Sequence, residues 1–200
     1  MSHKNASHSF VKEVETIYYP QKRSGDIKGE GFGLLHICYG QGAGKTSRAV
    51  GLAIRAVGRG LQVDFVQFMK SGNSGEVAIF DRLSDIRYWC PGEHPFIMSH
   101  GPDLVHYEHA TKALGYAFAA VERGTHLLIC DEILDTVIFE VLKKEQILDL
   151  MKRCKTKVEL IMTGRDAAPE FIRCADYVTE LVQIKHAYYA GARARKGIEY

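Results

Sequence analysis

Residues 39–47 read Tyr39-Gly40-Gln41-Gly42-Ala43-Gly44-Lys45-Thr46-Ser47. They follow an apolar run, residues 34–38, and precede a segment with helical spacing, so they lie where a strand turns into a helix. Closely spaced glycines let the backbone curl with its N–H groups pointing inward, and the following helix adds the positive end of its dipole. Lys45 can then reach phosphate oxygens, while the hydroxyl of Thr46 or Ser47 can ligate Mg²⁺. The segment therefore predicts a phosphate-binding loop.

The glycine spacing departs from the usual phosphate loop. The common pattern G-x-x-x-x-G-K-[ST] places a glycine where this chain has Tyr39, and Gly40 comes one position late. A glycine-rich turn before a helix can also serve packing alone, but Gly-Lys-Thr behind a strand favours the binding site. We expect the phosphates to be held by the backbone of Gly40, Gln41, Gly42, Ala43 and Gly44.

The composition is that of one ordinary domain. The chain has 200 residues, of which 46% are hydrophobic and 25% charged, and domains commonly run to about 100–200 residues. Lys and Arg number 26 against 24 Asp and Glu, so charge gives no case for a nucleic-acid partner. The apolar runs are too short for a membrane span and residues 1–19 lack a signal-peptide pattern, so we expect a cytoplasmic location.

Beyond the loop, short apolar runs alternate with segments of helical spacing. We expect strands at residues 34–39, 62–68, 86–89, 126–130, 158–163 and 177–181. We expect helices at residues 45–59, 76–83, 104–124, 144–153 and 169–175. This alternation predicts an α/β domain over residues 33–200, with a mostly parallel sheet covered by helices on both faces. Residues 1–32 are mixed polar and predict an arm outside this core.

Ligand-binding side chains are expected at the carboxyl edge of the sheet, because open α/β sheets bind ligands there. Lys70 follows the second strand. Arg165 follows the fifth, where a guanidinium can pair with phosphate, although both could be solvated loop residues. Asp131 and Glu132 end the fourth strand, where carboxylates are expected to complete a Mg²⁺ site with Thr46. The sequence leaves open which carboxylate touches the ion.

Residues 90–103 contain three prolines and two glycines without periodicity. A loop of this length predicts a lid or pocket wall, with Trp89 and Phe96 as candidate aromatic contacts. A metal is a weaker hypothesis for the histidines in and after the loop, because a structural zinc site normally offers four closely spaced ligands. These histidines are His94, His100, His106 and His109.

Several motifs, taken together and in order, resemble the ATP:corrinoid adenosyltransferases of the bacterial phosphate-loop type. They span residues 33–200, and the offset glycine and the Lys185-His186-Ala187 ending are more specific than a generic phosphate loop. The motifs lie at residues 40–47, 55–60, 66–70, 129–132, 161–165, 175–181, 184–187 and 197–200.

The resemblance implies a RecA-like P-loop fold, a homodimer, and transfer of the 5′-deoxyadenosyl group of ATP to the Co(I) centre of a corrinoid. Triphosphate leaves, and the reaction serves adenosylcobalamin biosynthesis or salvage. Because reduced cobalt is the nucleophile, the protein acts by positioning and electrostatics. The resemblance also implies a nucleotide reversed in the loop relative to ordinary NTPases, Mg²⁺ or Mn²⁺ as cofactor, and an electron donor such as a reduced flavoprotein.

The resemblance also assigns roles to residues. Lys45, Phe96 and Arg165 are the catalytic candidates, and Thr46 with Asp131 or Glu132 would hold the metal. Further substrate contacts are expected from residues 40–47, Arg55, Lys70, Lys185, His186 and Arg193.

Two departures limit this transfer of roles. The family loop often has a second lysine where this chain has Ala43, so Arg165, Arg193 or another cation would replace it. The family excludes the lower axial ligand of Co(II) with bulky aromatics, and Phe96 is the candidate in a segment that aligns poorly, with lid or core packing as its alternative role. The arm, residues 1–32, could cover the active site.

Two other functions could use the same loop. A phosphotransferase or ATPase, such as a nucleoside kinase, would need a base for its acceptor and would release ADP. A non-catalytic ATP-dependent corrinoid carrier would bind both ligands and form no cobalt–carbon bond.

Overall fold

The computed structural model describes residues 31–200. The predicted arm therefore lies outside the described residues, except for Gly31 and Phe32. The strands are Leu35–Tyr39 (β1), Val63–Gln67 (β2), Ile86–Trp89 (β3), Leu127–Asp131 (β4), Glu159–Gly164 (β5) and Tyr177–Glu180 (β6). The α-helices are Lys45–Val57 (α1), Val77–Phe80 (α2), Leu104–Glu122 (α3), Asp135–Ile138 (α4), Lys144–Cys154 (α5) and Pro169–Cys174 (α6), and a 3-10 helix spans Ala187–Ala190.

The strands form one sheet in the order β3-β2-β4-β5-β1-β6, and every neighbouring pair is parallel. The carboxyl ends of all six strands therefore lie at one edge. β5 lies between β1, which leads into the glycine loop, and β4, which ends at Asp131. The predicted α/β class and the predicted parallel sheet are confirmed.

Helices cover both faces of the sheet. Along β5, Leu160 and Met162 belong to one buried apolar cluster and Ile161 to another, as the alternation of a strand requires. The first cluster includes side chains of α3 and α5, and the second includes Ala49 and Ala53 of α1. Small side chains let α1 approach the sheet closely, which places its first turn beside the strand ends. None of the helices within residues 31–200 has the length and apolar character that a bilayer crossing needs.

Two helices differ from the sequence prediction. α2 spans only Val77–Phe80, shorter than residues 76–83. The chain beyond it closes tight i to i+3 turns, from Arg82 to Ile79 and from Leu83 to Phe80, on its way into β3. α4 was not predicted at all, and it follows a turn at Glu132, whose φ of 62° ends β4 abruptly.

Candidate active site

The glycine loop is shaped by its neighbours as well as by its own sequence. Tyr39 is still part of β1, where it pairs with Gly164 and Glu180, so the loop begins one residue later than usual. This pairing is the physical reason for the displaced glycine. Gly40 has a φ of 114°, and a Cβ there would lie 2.4 Å from the carbonyl oxygen of Leu181. Only glycine fits this position.

Lys45 lies within the loop, at the start of α1. Its Nζ donates hydrogen bonds to the carbonyl oxygens of Gly40 and Gly42, at 2.6 and 2.9 Å. The amide of Gly42 in turn donates to the carbonyl oxygen of Leu181 at 2.7 Å. The lysine thus closes the loop, and the loop is tied to the chain that follows β6.

Asp131 is the centre of a polar cluster at the end of β4. Its carboxylate is fully buried. It accepts hydrogen bonds from the hydroxyl of Thr46 at 3.1 Å, from that of Thr163 at 2.8 Å and from the ammonium of Lys70 at 2.7 Å. These partners come from the ends of three other strand–loop units. The parallel topology therefore brings together Thr46, Lys70 and Asp131, which the sequence placed at this edge.

Glu132 adopts a left-handed backbone conformation, which is uncommon for a residue other than glycine. Its amide donates to the Thr163 hydroxyl at 2.9 Å, and its Oε1 lies 3.7 Å from the Lys70 ammonium. Burial raises the pKa of Glu132 to about 7, although the positive charge of Lys70 opposes this shift. The adjacent carboxylate of Asp131 raises the pKa further.

Lys70 also donates to the Thr46 hydroxyl, at 3.0 Å. Burial alone would lower the pKa of Lys70, but the charges of Asp131 and Glu132 outweigh burial and the pKa is raised. Lys70 therefore carries its charge into the cluster.

Arg165 stands across the cleft at the end of β5. Its amide donates to the Asp135 carboxylate at 2.8 Å, its Nε lies 3.8 Å from the same group, and its guanidinium is over the ring of Phe139. The guanidinium is largely exposed. Asp135 and Phe139 were not found from the sequence, although Asp135 follows Glu132 by three residues, about one helical turn, which is a usable signal.

Several of these groups, among them Thr46, Lys70, Glu132 and Arg165, line one open cleft of about 1080 Å³. Phe96 lies on its wall, and its side chain is 93% exposed. That exposure excludes the alternative role in core packing. The C-terminal segment also reaches the cleft, through residues 197–200. Residues on the wall include Thr46, Ser47, Lys70, Phe96, Glu132, Asp135, Phe139 and Arg165.

Residues 40–45 and Asp131 are not on the cleft wall themselves, although Thr46, which contacts Asp131, is on it. Four further predicted site residues are also absent from the wall within the described chain. Arg55 lies near the end of α1 and lines a separate depression with Phe32 and Glu159, because α1 carries it away from the loop. Lys185, His186 and Arg193 follow β6 and are absent from the cleft wall. Their roles in substrate binding stay predictions.

The loop at residues 90–103 is fastened to α3 by histidines. The ring of His94 lies 4.9 Å from the rings of both His106 and His109. His106 Nε2 is 3.0 Å from the Pro95 carbonyl oxygen, and its Nδ1 accepts from the amide of Asp103 at 2.8 Å. Burial lowers the pKa of His94 to about 4, and the neighbouring histidines add to this shift. Contacts among these three histidines thus hold the segment that carries Phe96.

Metal-binding groups made only of side chains are not found in the described part of the chain. Within residues 31–200, no three His, Cys, Asp or Glu side chains are placed to hold a metal ion together.

Comparisons with known proteins agree with the geometry. The sequence profile of the family described as "ATP:corrinoid adenosyltransferase BtuR/CobO/CobP" matches residues 31–200. The corrinoid adenosyltransferase of Pseudomonas aeruginosa is 33% identical over 172 residues, covering 84% of each chain. That of Escherichia coli K12 is 28% identical over 184 residues, covering 84% of this chain and 86% of the relative.

Solved structures with a similar fold include the flagellar accessory protein FlaH from Methanocaldococcus jannaschii. It has a TM-score of 0.48 and 17% identity, over 75% of this chain and 71% of FlaH. The replication initiator DnaA bound to AMPPCP and single-stranded DNA has a TM-score of 0.42 and 13% identity, over 75% of this chain and 40% of DnaA.

Proposed function

The chain belongs to the ATP:corrinoid adenosyltransferase family, and from this premise we propose how its cleft moves the 5′-deoxyadenosyl group of ATP onto a corrinoid. The electron pair of Co(I) forms the new bond to C5′. The bond between C5′ and the triphosphate oxygen breaks, and triphosphate leaves with that electron pair. The observation that carries the proposal is the position of three cations around the start of α1: Lys45 bonds to the glycine loop, and Lys70 and Arg165 line the same cleft as Thr46.

The glycine loop and three cations are proposed to hold the leaving triphosphate. Backbone amides at the N-terminal end of α1 would face its oxygens, as at other helix N-termini. The amides of Gly40 and Gly42 instead fix the loop, because they donate to the carbonyl oxygens of Gly164 and Leu181. Lys45 would give up its hydrogen bonds to the loop carbonyls and bind phosphate oxygens instead. Arg165 would supply the cation missing at Ala43, since its exposed guanidinium lies on the cleft wall and its Nε is 3.8 Å from the Asp135 carboxylate. Such fixed charges stabilise the negative charge that develops on the leaving group.

The donor set at Thr46 and Asp131 fits Mg²⁺. A hydroxyl and a carboxylate are oxygen ligands that Mg²⁺ prefers. Their oxygens lie 3.1 Å apart, close to the separation of about 2.9 Å between neighbouring ligands at Mg–O distances of about 2.0–2.1 Å. Asp131 is proposed as the direct ligand, because it is the carboxylate that contacts Thr46. Glu132 is proposed to act through water. When bound, Mg²⁺ or Mn²⁺ would neutralise triphosphate charge.

The corrinoid is proposed to occupy the open side of the cleft. The cleft has a volume of about 1080 Å³, slightly above the usual range of about 300–1,000 Å³ for one small-molecule site. Phe96 projects from the wall with little packing of its own. We propose that its ring lies against the corrin and excludes the lower axial ligand of Co(II), which makes reduction to Co(I) easier.

The remaining features are proposed on the family resemblance. They are a homodimer, a reduced flavoprotein as electron donor, and a cytoplasmic location. The C-terminal segment supports a second copy as partner, because it exposes several large apolar side chains that a partner surface would cover. These are Val182, Ile184, Tyr188, Tyr189 and Ile198.

One anaerobic assay tests the function. The protein is mixed with ATP, Mg²⁺ and chemically reduced cobalamin, and the products are separated. We expect triphosphate and a light-sensitive adenosylated corrinoid in equal amounts. Release of ADP without a corrinoid would instead identify a kinase or ATPase. Binding of both ligands without a cobalt–carbon bond would identify a carrier.

A further inference from the structure

Lys70 lies inside the ligand set proposed for the metal. Its Nζ is 3.0 Å from the Thr46 hydroxyl and 2.7 Å from Asp131 Oδ2. Glu132 Oε1 is 3.7 Å away on another side. The ammonium therefore contacts the two side chains that would bind the ion and faces the third.

An ammonium and Mg²⁺ compete for this site. Lys70 contacts the Thr46 hydroxyl and Asp131 Oδ2, beside the Oδ1 that lies nearest Thr46. An ion bound to the Thr46 hydroxyl at about 2.0–2.1 Å would lie no more than about 5 Å from the ammonium. Two positive charges at that separation also repel strongly in a buried setting. Binding of the ion thus requires the ammonium to leave.

The ammonium of Lys70 also stabilises the buried carboxylate of Asp131. Asp131 is fully buried, and an unpaired buried carboxylate is strongly unfavourable. Thr46 and Thr163 donate hydrogen bonds to it but bring no charge. Lys70 is the cation that balances it, and its long flexible stem begins on the cleft wall.

We propose that Lys70 is an exchangeable cation: the metal ion that arrives with the triphosphate displaces its ammonium from Asp131 and Thr46, and the freed ammonium then pairs with a triphosphate oxygen. The inference rests on the proposed metal site. It makes Lys70 a competitor of the free ion and a partner of the ion–nucleotide complex. The site then takes the metal together with ATP rather than alone.

The test uses Mn²⁺ as the probe and measures free Mn²⁺ by EPR in titrations of the purified protein without nucleotide. Lys70→Met should bind Mn²⁺ at least about tenfold more tightly than the wild type, because its competitor is gone. In the presence of ATP the same variant should bind the Mn²⁺–ATP complex about tenfold more weakly, because the lost phosphate contact outweighs the loss of the competitor. A lysine with a purely structural role would not give opposite signs.

Two further variants serve as controls. Lys70→Gln keeps a donor for Asp131 without the charge, so it should show the same opposite shifts even if Lys70→Met unfolds. Lys144→Met removes a lysine paired with Glu170, away from the cleft, and should change neither affinity.

The outcomes separate this inference from the function. Equal Mn²⁺ affinity in the wild type and in both folded Lys70 variants, with Mn²⁺–ATP binding intact, overturns the exchange and leaves the proposed function standing. Unchanged Mn²⁺–ATP binding in Asp131→Asn would instead overturn the metal site itself, and the exchange with it.

Discussion

The ammonium of Lys45 lies 2.6 Å from the carbonyl oxygen of Gly40, so this lysine is folded back onto the loop that precedes it. A charged phosphate oxygen is a stronger acceptor than a loop carbonyl and would draw the ammonium away. Lys45→Ala should therefore lower kcat/KM for adenosyl transfer by about 10²-fold or more, as for other lost donors to developing charge. Product formation in the anaerobic assay measures this loss.

The same variant should remain folded, because the carbonyls that Lys45 leaves can bond to water. Thermal unfolding followed by circular dichroism provides the check. Near-normal transfer by a folded Lys45→Ala protein would show that this loop is not the phosphate site.

Phe96→Ala should impair the reaction that starts from Co(II) more than the reaction that starts from chemically supplied Co(I). The ring is proposed to act on the lower axial ligand, and that ligand matters only before reduction. Met98→Ala is the matched control, since Met98 is an exposed apolar side chain of the same loop that does not line the cleft. Equal losses from both cobalt states would remove the proposed role.

Acid should loosen the loop at residues 90–103. The pKa of His94 is about 4 in the folded protein, whereas an unperturbed histidine titrates near about 6.5. Between these values the unfolded chain binds the proton more readily, so stability is complete above about pH 6.5 and falls as the pH drops towards about 4. The pKa of His109 is also lowered by burial and acts in the same direction.

Urea unfolding at a series of pH values measures this effect. His94→Asn should reduce the loss of midpoint across this range. His100→Asn should keep the full loss, because His100 is exposed and pairs only with Asp103 in the described contacts. If the urea midpoint of His94→Asn fell with pH as steeply as that of the wild type, the effect would not be due to His94.

Two glycine substitutions should have opposite signs. At Gly42 a Cβ would lie 2.7 Å from the carbonyl oxygen of Leu181, which is backbone and cannot move freely. Gly42→Ala should cost about 1–3 kcal/mol, as overpacking does. At Gly115, in α3, a Cβ would meet nothing within 4 Å, so Gly115→Ala should add roughly 0.5–1 kcal/mol. Urea unfolding compares both, and equal signs would contradict the argument.

Local patterns were enough to predict much of the fold. The apolar runs that became β1 to β6 are short and bounded by polar or glycine residues, and strands buried on both faces have that pattern. Asp131 and Lys70 were placed correctly at the carboxyl edge, because every parallel strand ends there.

Contacts that depend on strand order were out of reach. Thr163 bonds to both Asp131 and Glu132 because β5 lies beside β4 in space. Along the chain, Glu132 and Thr163 are 31 residues apart. Asp135 orients Arg165 only because Glu132 turns the chain through a left-handed residue into α4. The periodicity of apolar side chains does not predict either contact.

The hydroxyl of Thr163 donates to Asp131 Oδ1 and accepts from the amide of Glu132, so one atom on β5 fixes both acidic residues. That atom is buried within the sheet. The carboxylate is therefore dehydrated and oriented when the protein folds, before any nucleotide arrives. The cations can move when substrate binds, but the carboxylate does not, so folding bears the free-energy cost of placing this charge.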